Sequence, residues 1–125
     1  MGEIMTTKEC YEQMGENYEE VIERLGSERI LKKFAIKFLT DKSVEELKQG
    51  LEEKDGEKAF RAAHTLKGIC LNLGFGKLYA ASSDITEKLR GRETADCEPL
   101  LEEVEKQYNN VVAAVERLSD EAQVI

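Results

Sequence analysis

Apolar residues recur at intervals of three and four along the whole chain, and no stretch alternates as a half-buried strand does. The pattern predicts an all-α domain. From Thr7, the segment KECYEQMGENYEEVIERLG sets Tyr11, Met14, Tyr18, Val21, Ile22 and Leu25 at helical spacing, broken loosely at Gly15 and stopped by Gly26. Ser27 caps the next element, ERILKKFAIKFL. Its Ile30, Leu31, Phe34, Ile36, Phe38 and Leu39 are apolar nearly all round, which predicts a well-buried helix. Thr40 and Asp41 break or kink the chain, and Ser43 with Glu46 has capping-box spacing ahead of SVEELKQGLEEKD.

After a turn at Asp55 and Gly56, the longest clean element runs from Glu57 to Leu73 and is closed by Gly74 and Gly76. A further helix from Lys77 to Arg90 carries Leu78, Ala81, Ile85 and Leu89 on one face and ends at Gly91. Beyond the polar loop RETAD, Pro99 fits a first helical turn, and LLEEVEKQYNNVVAAVERL makes a long amphipathic helix to Leu118. Short connections between long helices favour antiparallel neighbours. The expected architecture is an antiparallel up-and-down four-helix bundle with an N-terminal helical extension, one domain over residues 1–125 without internal repeats.

Composition narrows the function. The chain has 125 residues, 41% of them hydrophobic, enough for one core. No apolar run approaches the roughly 20 residues a membrane span needs, and MGEIM has neither the basic nor the apolar region of a signal peptide. Met1, Gly2 and Thr6 fit a myristoylation pattern so short that chance matches are common. A cytoplasmic, monomeric protein is expected. Twenty-six acidic and eighteen basic residues give a net charge of -8, which repels nucleic acid. Cys10, Cys70 and Cys97 are far apart and lack C-x-x-C spacing, so they read as reduced thiols rather than as a disulfide framework or zinc site. With a single histidine and no phosphate-binding or calcium-binding loop, neither a metal nor a cofactor is expected.

That histidine, His64, opens the stretch HTLKG. With about 100° per residue and His64 at 0°, Ala59, Ala62, Leu66, Ile69, Cys70 and Leu73 fall between roughly 140° and 240°, a buried stripe opposite the imidazole. Arg61 and Lys67 flank it at about 60° on either side, and Phe60 and Leu71 put two large apolar side chains on the same outward face. Such residues beside a histidine suggest docking. Gly68 also points outward, where packing against a neighbouring helix does not explain it. Its helix-propensity cost is about 1 kcal/mol, and the missing side chain lets something from outside approach the imidazole.

These residues suit phosphoryl acceptance. A free imidazole is substantially neutral near pH 7, and its unprotonated nitrogen is then a nucleophile. Flanking cations can offset the charge on the three equatorial phosphoryl oxygens, in a transfer that depends on positioning and electrostatics. An exposed helix face favours exchange with another macromolecule over enclosure of a small substrate.

The stretch A-H-T-L-K-G followed by N-L-G, from Ala63 to Gly74, resembles the signature of histidine-containing phosphotransfer domains: a histidine, then lysine three, glycine four and a second glycine ten residues on. ERLGSERILKKFAIKFL looks like the family's early helices, and LKQGLEEKDGEKAFRAAHTLKG like the run into its active helix. The resemblance implies a bundle that carries a phosphoryl group between the aspartates of response-regulator receiver domains in two-component signalling, with a hybrid histidine kinase as a further partner. It implies His64 as the phosphorylated residue, Lys67 as a phosphate-stabilising group and Gly68 as clearance for the receiver. Phe60, Arg61 and Leu71 are the expected docking residues. Many members place Gln or Glu on the following helix, where the shorter Thr86 stands here, a departure that leaves Ser82 and Ser83 as the other candidates for that support. No kinase ATP-binding segment or receiver domain is recognisable, so the chain reads as a phosphocarrier rather than an enzyme. Two alternatives are a non-phosphorylated interaction module of the same fold and an enzyme using His64 as general base. A general base usually sits with a positioned partner in a cleft.

Overall fold

Side-chain oxygens that accept from otherwise unpaired backbone N–H groups mark where four of the helices begin. In the computed structural model, which describes residues 5–122, Thr6 and Glu9 form a reciprocal capping box at α1 (Thr7–Gln13). Asn17 caps α2 (Tyr18–Leu25), and Ser27 caps α3 (Glu28–Lys37) as expected. A 3-10 turn, Phe38–Thr40, leads to α4 (Ser43–Glu52). Asp55 caps α5 (Gly56–Leu73), followed by α6 (Gly76–Lys88) and α7 (Glu98–Ala122). Among the described residues there is no strand. Met1 and Gly2, with the lipidation pattern they open, lie outside the described residues. No described helix is long and apolar enough to cross a membrane.

Four local expectations need correction. The first predicted helix is two helices, because Gly15 adopts φ 75° and turns the chain where Asn17 then caps α2. Ser43 and Glu46 form no capping box: Ser43 is already in the first turn, and the Asp41 carboxylate accepts from its N–H at 2.9 Å. Far from being well buried, α3 hides Leu31 and Ala35 and leaves Ile30 and Phe34 each 44% exposed. It lies across one flank of the molecule, and Lys33 and Lys37 keep that side in water. Finally, α6 ends at Lys88, and the first left-handed residue beyond it is Arg92 (φ 64°), not Gly91.

Packing follows chain order. α4 lies against α5, α5 against α6 and α6 against α7, while α7 also touches α1, α3 and α4. The α4–α5 approach is close because Gly50 faces the backbone of Ala59, where a Cβ on residue 50 would stand 2.7 Å from the Ala59 nitrogen. Tyr11, Phe38, Phe75 and Tyr108 form a run of ring contacts at centroid distances of 5.3 to 5.9 Å near the C-terminal end of α5. The N-terminal segment also ties down helix ends. Tyr11 donates its hydroxyl to the Leu73 carbonyl, Arg24 reaches the Leu71 carbonyl at 2.6 Å, and the Glu16 carboxylate accepts from the Lys77 N–H at 2.9 Å. End groups of α5 and α6 that lack partners within their own helix are satisfied this way.

The two helix glycines Gly50 and Gly68 should respond in opposite directions to alanine. Gly50→Ala gains helix propensity but must push α4 off α5, and should lose about 1 to 3 kcal/mol. Gly68→Ala meets nothing within 4 Å and should gain up to about 1 kcal/mol. Urea melts of both variants check the pair, and equal shifts would contradict the described packing.

Candidate functional site

Ala59, Ala62, Ala63, Leu66, Cys70 and Leu73 form the buried side of α5. Ala63 extends the predicted stripe toward α6, and Ile69 is only half-buried at the opposite edge. His64 is exposed on the far side, with Arg61, Thr65, Gly68 and Leu71. The 18 residues of α5 put the imidazole in a helix interior, away from either end. A side chain at Gly68 would enter open space. Among the described residues no hydrogen bond or ion pair reaches the imidazole, whose ring neighbour is Phe60 at a centroid distance of 5.9 Å and an interplanar angle of 43°.

Acidic residues partner the cations around this face. Glu57 accepts from Arg92 Nε at 2.8 Å and from Arg61 Nε at 3.0 Å. The hydrogen bonds from Arg92 and then Arg61 hold its carboxyl below the usual carboxylate range. Glu87 is held low chiefly by its hydrogen bonds from Arg90, with a smaller pull from the nearby Lys67 ammonium. Lys67 is half-buried and Arg61 largely exposed. The thiols lie elsewhere: Cys10, Cys70 and Cys97 are free and buried, and burial pushes Cys70 up to about 12, which leaves it inert as a nucleophile.

Two groups of predicted site residues are placed differently from expectation. Phe60 and Leu71 do not form one patch, since eleven residues of helix separate them by about 16 Å along the axis. Leu71 is 51% exposed, whereas Phe60 is half-buried against the core and covered by the Arg92 guanidinium, 3.8 Å above its ring centroid. Arg90 approaches the same ring at 5.7 Å. On α6, Ser82 and Thr86 are buried, and their hydroxyls donate to the Leu78 and Ser82 carbonyls, each at 2.6 Å. Short hydroxyl side chains bond back to their own helix in this way, and neither reaches toward the imidazole. Ser83 is half-buried.

The residues missed by sequence reading are Arg90, Arg92 and Glu57. They sit in a polar loop and at a helix start, where charge is ordinary, and no spacing rule announces a guanidinium that returns over Phe60.

The imidazole lines neither of two surface cavities. One, of about 740 Å³, lies between α3 and the end of α5 and is lined by Ile30, Phe34, Ile69 and Leu73 among others. The second, of about 440 Å³, includes Glu46, Asp55 and Arg61. His64 is exposed outside both, with open space at Gly68 beside it.

A family model of the Hpt domain matches residues 39–118, from the end of the 3-10 turn through α4, α5 and α6 and along α7 to Leu118. No curated protein matches the chain, and no solved structure does. The matched span covers well over half of the sequence and has the exposed imidazole of α5 within it, and on that match the chain belongs to the Hpt domain family.

Proposed function

We propose that the chain is a phosphocarrier that takes a phosphoryl group onto His64 from a receiver-domain aspartate and passes it to another. The observation that carries this reading is the open side of α5, where an exposed imidazole stands one turn from a glycine facing free space. In the transfer, the lone pair of the unprotonated ring nitrogen forms the N–P bond. The P–O bond to the receiver carboxylate breaks, and its electron pair leaves with that carboxylate. The proton on the other ring nitrogen is then released to water. Lys67 offsets charge on the phosphoryl oxygens and Gly68 gives the receiver room.

The same reading covers the rest of the chain. Helices α4 to α7 make the antiparallel up-and-down four-helix bundle, with α1 to α3 as an extension, in one domain that works as a cytoplasmic monomer. A hybrid histidine kinase or its receiver supplies the phosphoryl group, because an exposed imidazole that lines neither cavity does not enclose a nucleotide. Leu71 and Arg61 meet the receiver, with Phe60 at the edge of the contact. Ser82 and Thr86 contribute nothing direct while their hydroxyls stay bonded to α6.

A phosphorylated receiver should transfer label to the protein, giving an acid-labile, alkali-stable product, as a phosphoramidate is. His64→Gln should accept none. Label surviving that substitution excludes the assignment, because the chain has no second histidine.

Lys67→Ala and Gly68→Gln should both keep the fold and slow transfer, the first by loss of charge at the phosphoryl group and the second by obstruction. Rapid-quench transfer assays beside receiver titrations separate them. Lys67→Ala should leave receiver affinity largely intact, while Gly68→Gln should weaken it.

Leu71→Ser should weaken receiver binding by about tenfold and change the melting temperature little, since its side chain is mostly in water. Phe60→Ser should instead cost stability, about 1 to 3 kcal/mol, because its ring packs on the core and under Arg92. Melts and titrations on the two variants check this division.

A further inference from the structure

We infer that Arg92 is a positioning residue for phosphoryl transfer at His64, acting through the Phe60 ring. The inference rests on the phosphocarrier reading above. An exposed imidazole on a helix has several rotamers open to it, and attack on phosphorus needs one of them, with the ring nitrogen in line. Among the described residues, no hydrogen bond orients it. What it has is Phe60, one turn earlier on the same face, as a wall against one side of the ring. The wall is itself covered by the Arg92 guanidinium, 3.8 Å above its ring centroid and close enough for a cation–π contact.

Arg92 is fixed more firmly than a loop arginine needs to be. Its Nε binds Glu57 Oε2 at 2.8 Å, its Nη1 donates to the Arg90 carbonyl at 2.6 Å, and its backbone N–H donates to the Leu89 carbonyl at 2.7 Å. The backbone adopts φ 64°, which residues with a side chain seldom use, although Gly91 stands next to it. Its carbonyl also sits against Gly56, where a Cβ would come within 1.8 Å of the oxygen. Asp96 in the same connection is left-handed as well (φ 59°), so what distinguishes Arg92 is the set of contacts its side chain makes, the cover over Phe60 among them. The run Glu57, Arg92, Phe60, His64 joins the start of α5 to its imidazole through the loop that follows α6.

The test uses Arg92→Leu, Arg92→Lys, Phe60→Leu and the Arg92→Leu/Phe60→Leu double variant of the full chain. Single-turnover transfer from a phosphorylated receiver is measured at increasing receiver concentration, beside NMR of the imidazole ring protons. Arg92→Leu should lower the limiting transfer rate by about five- to tenfold, leave receiver affinity within about twofold, and change the ring-current shift that Phe60 imposes on His64. Arg92→Lys should restore part of both signals. Phe60→Leu leaves the Arg92–Glu57 pair in place and should cost a similar rate, and the double variant should be no slower than the worse single one, as for residues acting in series. An unchanged limiting rate in Arg92→Leu, or additive losses in the double variant, overturns the inference. A wild-type protein that accepts no label instead overturns the phosphocarrier reading, and the inference with it.

Discussion

The close approach of α4 to α5 determines which way α5 faces, and the rest of the site depends on that rotation. Gly50 lies against the backbone of Ala59, and the small side chains of Ala59, Ala62 and Ala63 leave little distance between α5 and its neighbours. Contacts this short do not tolerate a turn of the helix about its axis. Rotating α5 by one residue would bring Leu66 toward water, losing about 1.5 to 3 kcal/mol of burial, and would drive polar side chains into the core without partners. His64, Gly68 and Leu71 point outward because the opposite side is locked inward.

This is why so much of α5 was legible from sequence and so little of its surroundings was. A helix buried on one side writes a period into its own residues, and Ala59, Ala62, Leu66, Cys70 and Leu73 are all where the wheel puts them. The caps at Ser27, Gly26 and Gly74 are equally local. The burial of α3 is not legible because apolar content does not say how many sides a helix has neighbours on, and Ile30 and Phe34 face an open groove. The resemblance points to Thr86, with Ser82 and Ser83 as substitutes, by place in the sequence alone, whereas the direction of a hydroxyl depends on which side of α6 meets the core. Arg92 was out of reach because its contacts with Glu57 and Phe60 cross from one loop to a distant helix.

The acidic balance of the chain hides a local arrangement of the opposite kind. Arg61, Lys67, Arg90 and Arg92 gather around the outward side of α5, and Glu57 and Glu87 lie among them. Exposed ion pairs of this sort contribute little to stability, commonly less than about 1 kcal/mol each. Their effect is on geometry: Glu57 binds two guanidiniums at once and so restricts where each can go. Arg61 keeps most of its surface in water and stays available to an incoming anion, while Arg92 is committed to Phe60.

The end of α5 shows the same separation between a fixed frame and a free contact surface. Arg24 and Tyr11 bind the carbonyls of Leu71 and Leu73 from the N-terminal segment, which lies before the matched family span. The backbone at Leu71 is therefore held by the Arg24 hydrogen bond on its carbonyl, with Asn72 and Leu73 held beside it. The apolar surface of Leu71 remains half in water, so about half of the stabilisation that full burial would give is forgone. A residue so arranged loses little conformational freedom when a partner covers it, because the ordering of its backbone was completed on folding. On the proposed phosphocarrier reading, docking beside His64 then needs only small backbone movement, and the binding energy of the apolar contact goes into holding the partner at the imidazole rather than into ordering the helix.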